Sequence, residues 1–212
     1  MIPFTSTVLS LLQFEGSSVS SLTAISGSFY FFGGIAMNIA GIAEFILGNT
    51  FPFVAFIVYG THWVNLAYTM DPSQGIVASY GADGAGALNQ AYNAGQGNYN
   101  FVMAIVSFLF LCGSIRTNVP FVVLFLGLVF LFSFITAADY QLGYNPTPEG
   151  LEHAVHYFRI AGGFGFVSMV LGWYVSRICH YYTRKLIVSL GIWPLSLFVP
   201  RLEFLAPYQS LI

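Results

Sequence analysis

The sequence predicts an all-α fold of the polytopic membrane class, six transmembrane helices joined by short or acidic loops. Three observations predict it. The first is composition: of 212 residues, 57% are hydrophobic, 18% aromatic and only 7% charged, against about 25% charged in a soluble domain. So few charges cannot make a water-facing surface. The second is the recurrence of apolar runs near the ~20 residues that a helix needs to cross a bilayer core. The third is charge placement, because acids and bases segregate into different connections between those runs.

Residues 2–14 form the first helix. About 13 residues are too few to cross, so a chain that starts inside its first span is expected. Residues 22–47 form the second span, rich in glycine. Residues 51–70 form the third, opened by Asn49 or Thr50 as N-cap and by Pro52, which a first helical turn tolerates. The fourth and fifth, 98–115 and 119–138, are separated only by Arg116-Thr117-Asn118, and 155–179 is the sixth. These spans make one helical domain over 1–185. The tail, 186–212, is apolar but interrupted by Pro194, Pro200 and Pro207, which suits a segment lying in the membrane interface better than a further crossing.

Segments 71–97 and 139–153 contain acids and no Lys or Arg, whereas Arg116, Arg177, Arg184 and Lys185 lie at the opposite ends of the spans. The positive-inside rule then places Arg116 and both termini in the cytoplasm. A five-span reading with the N-terminus outside satisfies the same rule. Net charge is −2 with six Lys and Arg in all, so there is no basic face for nucleic acid. Cys112 and Cys179 both sit in apolar runs and read as buried, inert thiols. No nucleotide loop, zinc-protease motif or nucleophile elbow is present. Neither an enzyme nor a cofactor is expected.

Gly34, Gly41 and Gly48 recur every seven residues beside Gly33, Ala36, Ala40 and Ala43, and Gly162, Gly163, Gly165 and Gly172 form a second strip. Such strips let helix backbones approach closely in lipid. They serve packing within one bundle, or subunit contacts as well. Glu44 lies one turn before Gly48 and either snorkels to the interface or faces the bundle interior and joins proton traffic. Tyr59, His62 and Asn65 are three residues apart and read as one polar face. His62 is either a proton relay or a ring bonded to a neighbouring helix. Glu149, Glu152, His153 and His156, with Asp139, read as an exposed polar rim rather than a metal site.

Residues 32–60, FGGIAMNIAGIAEFILGNTFPFVAFIVYG, resemble the hallmark of the acetate uptake transporter family, the YaaH-type succinate–acetate permeases and their fungal acetate/ammonia-linked relatives. GSIRTNVPFVVLF at 113–125 resembles the family's second signature, and RIAGGFGFVSMVLGWYVS at 159–176 its last span. The chain departs from the pattern in three places. The N-terminal NPAPLGL motif is missing while a near copy, NPTPEGL, stands at 145–151. Met37 replaces a glutamine, and His62 an aromatic.

The resemblance implies six helices around a central pore, assembled as a homohexamer in the plasma membrane. Its substrate would be acetate or a related monocarboxylate, or succinate, moved in symport with protons. It also implies a hydrophobic constriction formed by Tyr59, by Leu126 (or Phe125 on a one-residue slip) and by Phe4 (or Ile2). Glu44, Asn49 and Thr50 match the family's polar block and are expected on the cytoplasmic side of the pathway, with His62 and Asn65 along its wall. Two other readings remain at this point: ammonia or ammonium export, and a non-transporting sensor or inactive subunit beside a longer homologue.

Overall fold

The structure, a computed structural model, describes residues 1–81 and 86–189, with side chains as far as Arg177. All regular structure among these residues is helical. The long elements are α1 (Ile2–Leu11), α2 (Val19–Ile46), α3 (Thr50–Met70), α4 (Gln90–Ser114), α5 (Val119–Tyr144) and α6 (Pro148–Ser189). Three single turns, Pro72–Gln74, Ile76–Ser79 and Gly86–Leu88, lie between α3 and α4. Four segments are long and apolar enough to cross a membrane: α2, α4, α5 and Pro148–Arg177 of α6. With 21 residues α3 is long enough as well, but His62, Asn65 and Thr61 dilute its hydropathy. The protein is an integral membrane protein. It divides into two compact units, Met1–Trp173 and Tyr174–Ile212. Residues 190–212, most of the expected interfacial tail, and the Cys179 side chain lie outside the described residues.

The overrun of the expected bounds is largest in α4, α5 and α6, each for a local reason. α4 begins at Gln90 instead of 98 because the Asn89 side chain accepts from the amides of Ala91 and Tyr92 and caps it there. Its glycines are tolerated because Gly97 receives the Tyr140 ring of α5, where a Cβ would lie 2.7 Å from ring carbon. α5 starts on Asn118, which accepts from Phe121 N at 3.1 Å, and continues to Tyr144, taking Asp139 into the helix. α6 begins at Pro148. Thr147 Oγ1 accepts from the Gly150 amide, and Pro148 in the first turn lacks the N–H that would have had no partner. NPTPEGL is therefore a helix start.

α2 is wound unevenly. After a tight opening over Val19–Ile25, residues Phe29–Ala36 take wide π turns and Met37–Ile46 return to α geometry. Its glycines meet α3: Gly33 faces Trp63, Gly34 faces Val64, and Gly41 faces Ile57 and Phe56. Gly48 does not extend that strip. It has φ +81° and open space around its Cβ position, and it makes the α2–α3 turn in the left-handed region that favours glycine. In α6, Gly162 receives Leu12 and Gly165 receives Leu131 and Val8, while Gly163 faces open space. Ser107 and Ser168 are fully buried, and each donates to a backbone carbonyl. Large apolar side chains such as Phe31, Ile39 and Ile46 of α2 and Phe101 and Leu109 of α4 face outward, stable where lipid or another apolar surface covers them. Cys112 is also exposed: it lies on the outward face of α4, so the buried position expected from its apolar neighbours is corrected.

Candidate functional site

Inside the Met1–Trp173 unit, α1, α2, α3, α4 and α5 enclose a cavity of about 420 Å³. Val77, Ala87 and Leu88 of the connection between α3 and α4 line one end of it, and it reaches inward to Tyr59. One stripe of each long helix forms its wall. From α5 come Leu128, Leu131, Phe132, Ile135, Asp139 and Leu142, spaced three or four residues apart as a single helix face requires. From α4 come Tyr92, Asn93, Gln96 and Asn100, and from α3 Tyr59, His62, Trp63 and Leu66.

The polar groups on this wall are tied down one by one. The imidazole Nδ1 of His62 shares a 2.9 Å hydrogen bond with the Tyr99 hydroxyl; the two rings stack at 5.7 Å and Phe132 closes edge-on at 5.2 Å. Asn100 Nδ2 donates to Asp139 Oδ2 at 2.8 Å. Asp139 is 7% exposed, so the rim position expected for it is corrected; the six extra residues of α5 carry it inside. Asn93 Nδ2 donates to the carbonyls of Ala87 and Asn89, tying the loop to α4. Among the described residues, no Lys or Arg lines the cavity. Asp71, which follows the lining residue Met70, is half-buried at the end of α3. The Ser73 hydroxyl and then its amide donate to the Asp71 carboxylate and hold its carboxyl below the usual range.

Tyr59 closes the cavity. Its hydroxyl pairs with Ser107 Oγ at 2.8 Å, and because Ser107 donates to Met103 O, the tyrosine is the donor. Its ring joins those of Phe110 (5.7 Å) and Phe125 (6.3 Å). Phe51 packs edge-on against both phenylalanines at 5.9 Å, and Phe121 adds to Phe125 at 6.3 Å. These residues come from the start of α3, the end of α4 and the start of α5, the end of the bundle that carries Arg116. Beyond Tyr59 the interior is therefore aromatic.

The expected site residues divide between these regions. Phe4 stands on the cavity wall against Trp63 at 6.4 Å, while Ile2 is 47% exposed. Tyr59 and His62 are buried on the same wall. Asn65 is exposed, because three residues advance only 300° around a helix and two such steps leave it 120° from Tyr59. Leu126 is 41% exposed and lines an apolar surface groove with Val123, Phe130 and Phe164; Phe125, one place earlier, meets Tyr59. Glu44, Asn49 and Thr50 gather at the Arg116 end, outside the cavity, with Asn49 Nδ2 donating to Glu44 Oε2 at 2.7 Å. Glu149 and His153 are exposed 3.9 Å apart on α6.

Asp139, Asn100, Gln96 and Asn93 were not anticipated. The α4 residues carried a readable signal, since 93, 96, 100 and 107 follow helical spacing, but only for a helix that begins before 98.

Comparison with known proteins gives this arrangement a family. A model of the GPR1/FUN34/yaaH family matches residues 2–193. Protein alcS of Aspergillus fumigatus is 30% identical over 195 residues, covering 90% of this chain and 70% of its own length. The acetate transporter protein patA of Aspergillus clavatus is 25% identical over 174 residues, 82% of this chain and 66% of its own. The bacterial acetate channel SatP superposes with a TM-score of 0.60 at 20% identity, over 89% of this chain and 87% of its own, a likeness of fold. With the family model matching nearly its whole length, the chain belongs to the GPR1/FUN34/yaaH family.

Proposed function

We propose that this protein moves acetate and related small carboxylates across the membrane, through the cavity and past Tyr59. The observation that carries the reading is the pairing of a cavity sized for a small solute with an aromatic closure at mid-bundle. Two relatives, patA and SatP, are named for acetate transport and an acetate channel. A small acid enters beneath the 71–89 connection, meets the amides of Asn93, Gln96 and Asn100, and gives up its remaining water at the rings of Tyr59, Phe110 and Phe125. Phe4 narrows the same passage from α1. A hydrated Na⁺ or K⁺ ion finds no substitute for its shell among those rings. Glu44, Asn49 and Thr50 stand beyond the rings as the polar groups met on leaving, and His62 holds the cavity wall through Tyr99. Proton-linked symport, succinate as a second substrate, a homo-oligomer of up to six copies and a cytoplasmic Arg116 end in the plasma membrane complete the reading.

Labelled acetate uptake into liposomes carrying the full chain, after subtraction of uptake by empty liposomes, tests it. Uptake above that background that falls on Tyr59→Trp, which adds bulk at the closure, supports the pathway. Background-level uptake by correctly folded protein overturns it.

A further inference from the structure

We infer that Asp139, held by Asn100 in a cavity that no cationic side chain among the described residues lines, makes this pathway refuse the carboxylate anion and pass the small acid in its undissociated form. The inference rests on the transport reading above and assigns the permeating species and the residue that selects it.

The observations are geometric. Asp139 is 7% exposed, faces the cavity, and has one hydrogen-bond partner, Asn100 Nδ2 at 2.8 Å. Among the described residues, the titratable groups on the remaining walls are Tyr59 and His62 from α3 and Tyr92 from α4; α1, α2 and α6 contribute none. His62, the one lining group able to take a positive charge, commits Nδ1 to Tyr99 and is enclosed by the rings of Trp63, Tyr99 and Phe132. Arg159 is exposed and donates from Nε and a terminal nitrogen to Gln13 Oε1, away from the cavity. Asp71 adds an acid just past Met70.

A carboxylate leaving water for such a wall loses its hydration, finds no countercharge among the described lining residues, and meets the acceptor oxygens of Asp139. A selective anion passage is built the other way, with Arg or Lys rings. The undissociated acid meets none of these obstacles. Its hydroxyl can donate to Asp139 Oδ1, which accepts from no donor among the described residues, and its carbonyl can accept from the Gln96 amide or the second amide hydrogen of Asn100. At Tyr59 a neutral molecule sheds its last hydrogen bonds at a cost far below that of a charge. Electroneutral entry then follows without a separate proton relay, because the acid carries its own proton.

The test uses the full chain in liposomes, with labelled acetate flux measured at imposed K⁺/valinomycin potentials of both signs and empty liposomes subtracted. The wild type is expected to show flux that does not change with potential. Asp139→Asn, checked for folding by size-exclusion chromatography, is expected to gain a potential-driven component. For one charge crossing the full field the upper bound is roughly fiftyfold per 100 mV. Asp139→Glu, which keeps the carboxyl group, should stay insensitive. Wild-type flux that itself follows potential overturns the inference and leaves transport standing. So does a folded Asp139→Asn protein with wild-type insensitivity. If Asp139→Asn fails to fold, the wild type and Asp139→Glu decide alone: insensitivity in both supports the inference, and potential-driven flux in either overturns it. No flux above empty liposomes overturns the transport reading, and this inference with it.

Discussion

The two ends of one bundle are built from the same three helices and differ in almost every physical respect. Toward the 71–89 connection, α3, α4 and α5 stand far enough apart to leave about 420 Å³, with amides and a carboxyl on the wall. Toward Arg116 the same helices close on Phe51, Phe110, Phe121 and Phe125, with ring centroids 5.5–6.3 Å apart. The change runs along a single face of α4: Asn93, Gln96 and Asn100, then Met103, Ser107 and Phe110. Tyr59 and Ser107 meet where amides give way to rings. A passage can thus be wet at one end and dry at the other without any change of architecture, by grading one helical stripe.

The sharpest way to break that contrast is to cut into the dry end. Phe125 is 3% exposed and touches four aromatic rings, so Phe125→Ala is expected to cost about 3–5 kcal/mol, read as a large fall in Tm in detergent. Its neighbour Leu126 is 41% exposed, and Leu126→Ala should change stability by no more than about 0.5 kcal/mol. Equal losses at the two positions would mean that the dry end does not depend on its rings. Gly127, next along, lets α5 meet α6. A side chain there would strike the Ser168 hydroxyl and lie 3.0 Å from the Phe164 carbonyl, so Gly127→Val should cost roughly 1–3 kcal/mol in the same assay.

The dry end was more legible in the sequence than the wet one. Phe51, Tyr59 and Phe125 lie within runs whose apolar character needs no partner to be recognised, and the bounds of α3 were read to within a residue. The wet end depends on residues whose place is set by tertiary contact. Gln90-to-Gly97 reads as loop by composition, yet Asn89 caps it and Tyr140 covers Gly97, so it is helix. Asp139 reads as rim because a charge usually ends a span, yet α5 continues to Tyr144. Asn65 is exposed for a different reason: repeated steps of three drift around a helix, and only alternating threes and fours hold a face.

Tyr59 at the junction should respond less than Phe125 if its hydroxyl is removed. Tyr59→Phe keeps the ring against Phe110 and Phe125, and Ser107 keeps its bond to Met103 O, so the loss is one neutral hydrogen bond, about 0.5–1.5 kcal/mol. Acetate flux should persist, because the closure is made by the ring. Flux abolished with Tm nearly unchanged would show that the hydroxyl itself handles the solute, and the border between the wet and dry ends would then carry chemistry.

The smallest effect is expected beyond the rings, at Glu44. Its carboxylate accepts from Asn49 Nδ2 at 2.7 Å across the Gly48 turn, and Asn49 spends its side chain there instead of capping α3. Glu44→Gln retains an acceptor for that bond and loses only its charge-assisted part. On a half-exposed pair this amounts to about 0.5 kcal/mol, roughly twofold in any equilibrium it governs. Tm and acetate flux measured on the same preparation separate two roles. A small, parallel drift in both means that Glu44 fastens the turn. A flux loss well beyond twofold at constant Tm means that the carboxylate meets the solute as it leaves. The aromatic end would then have a polar exit that the geometry of one protomer does not by itself require.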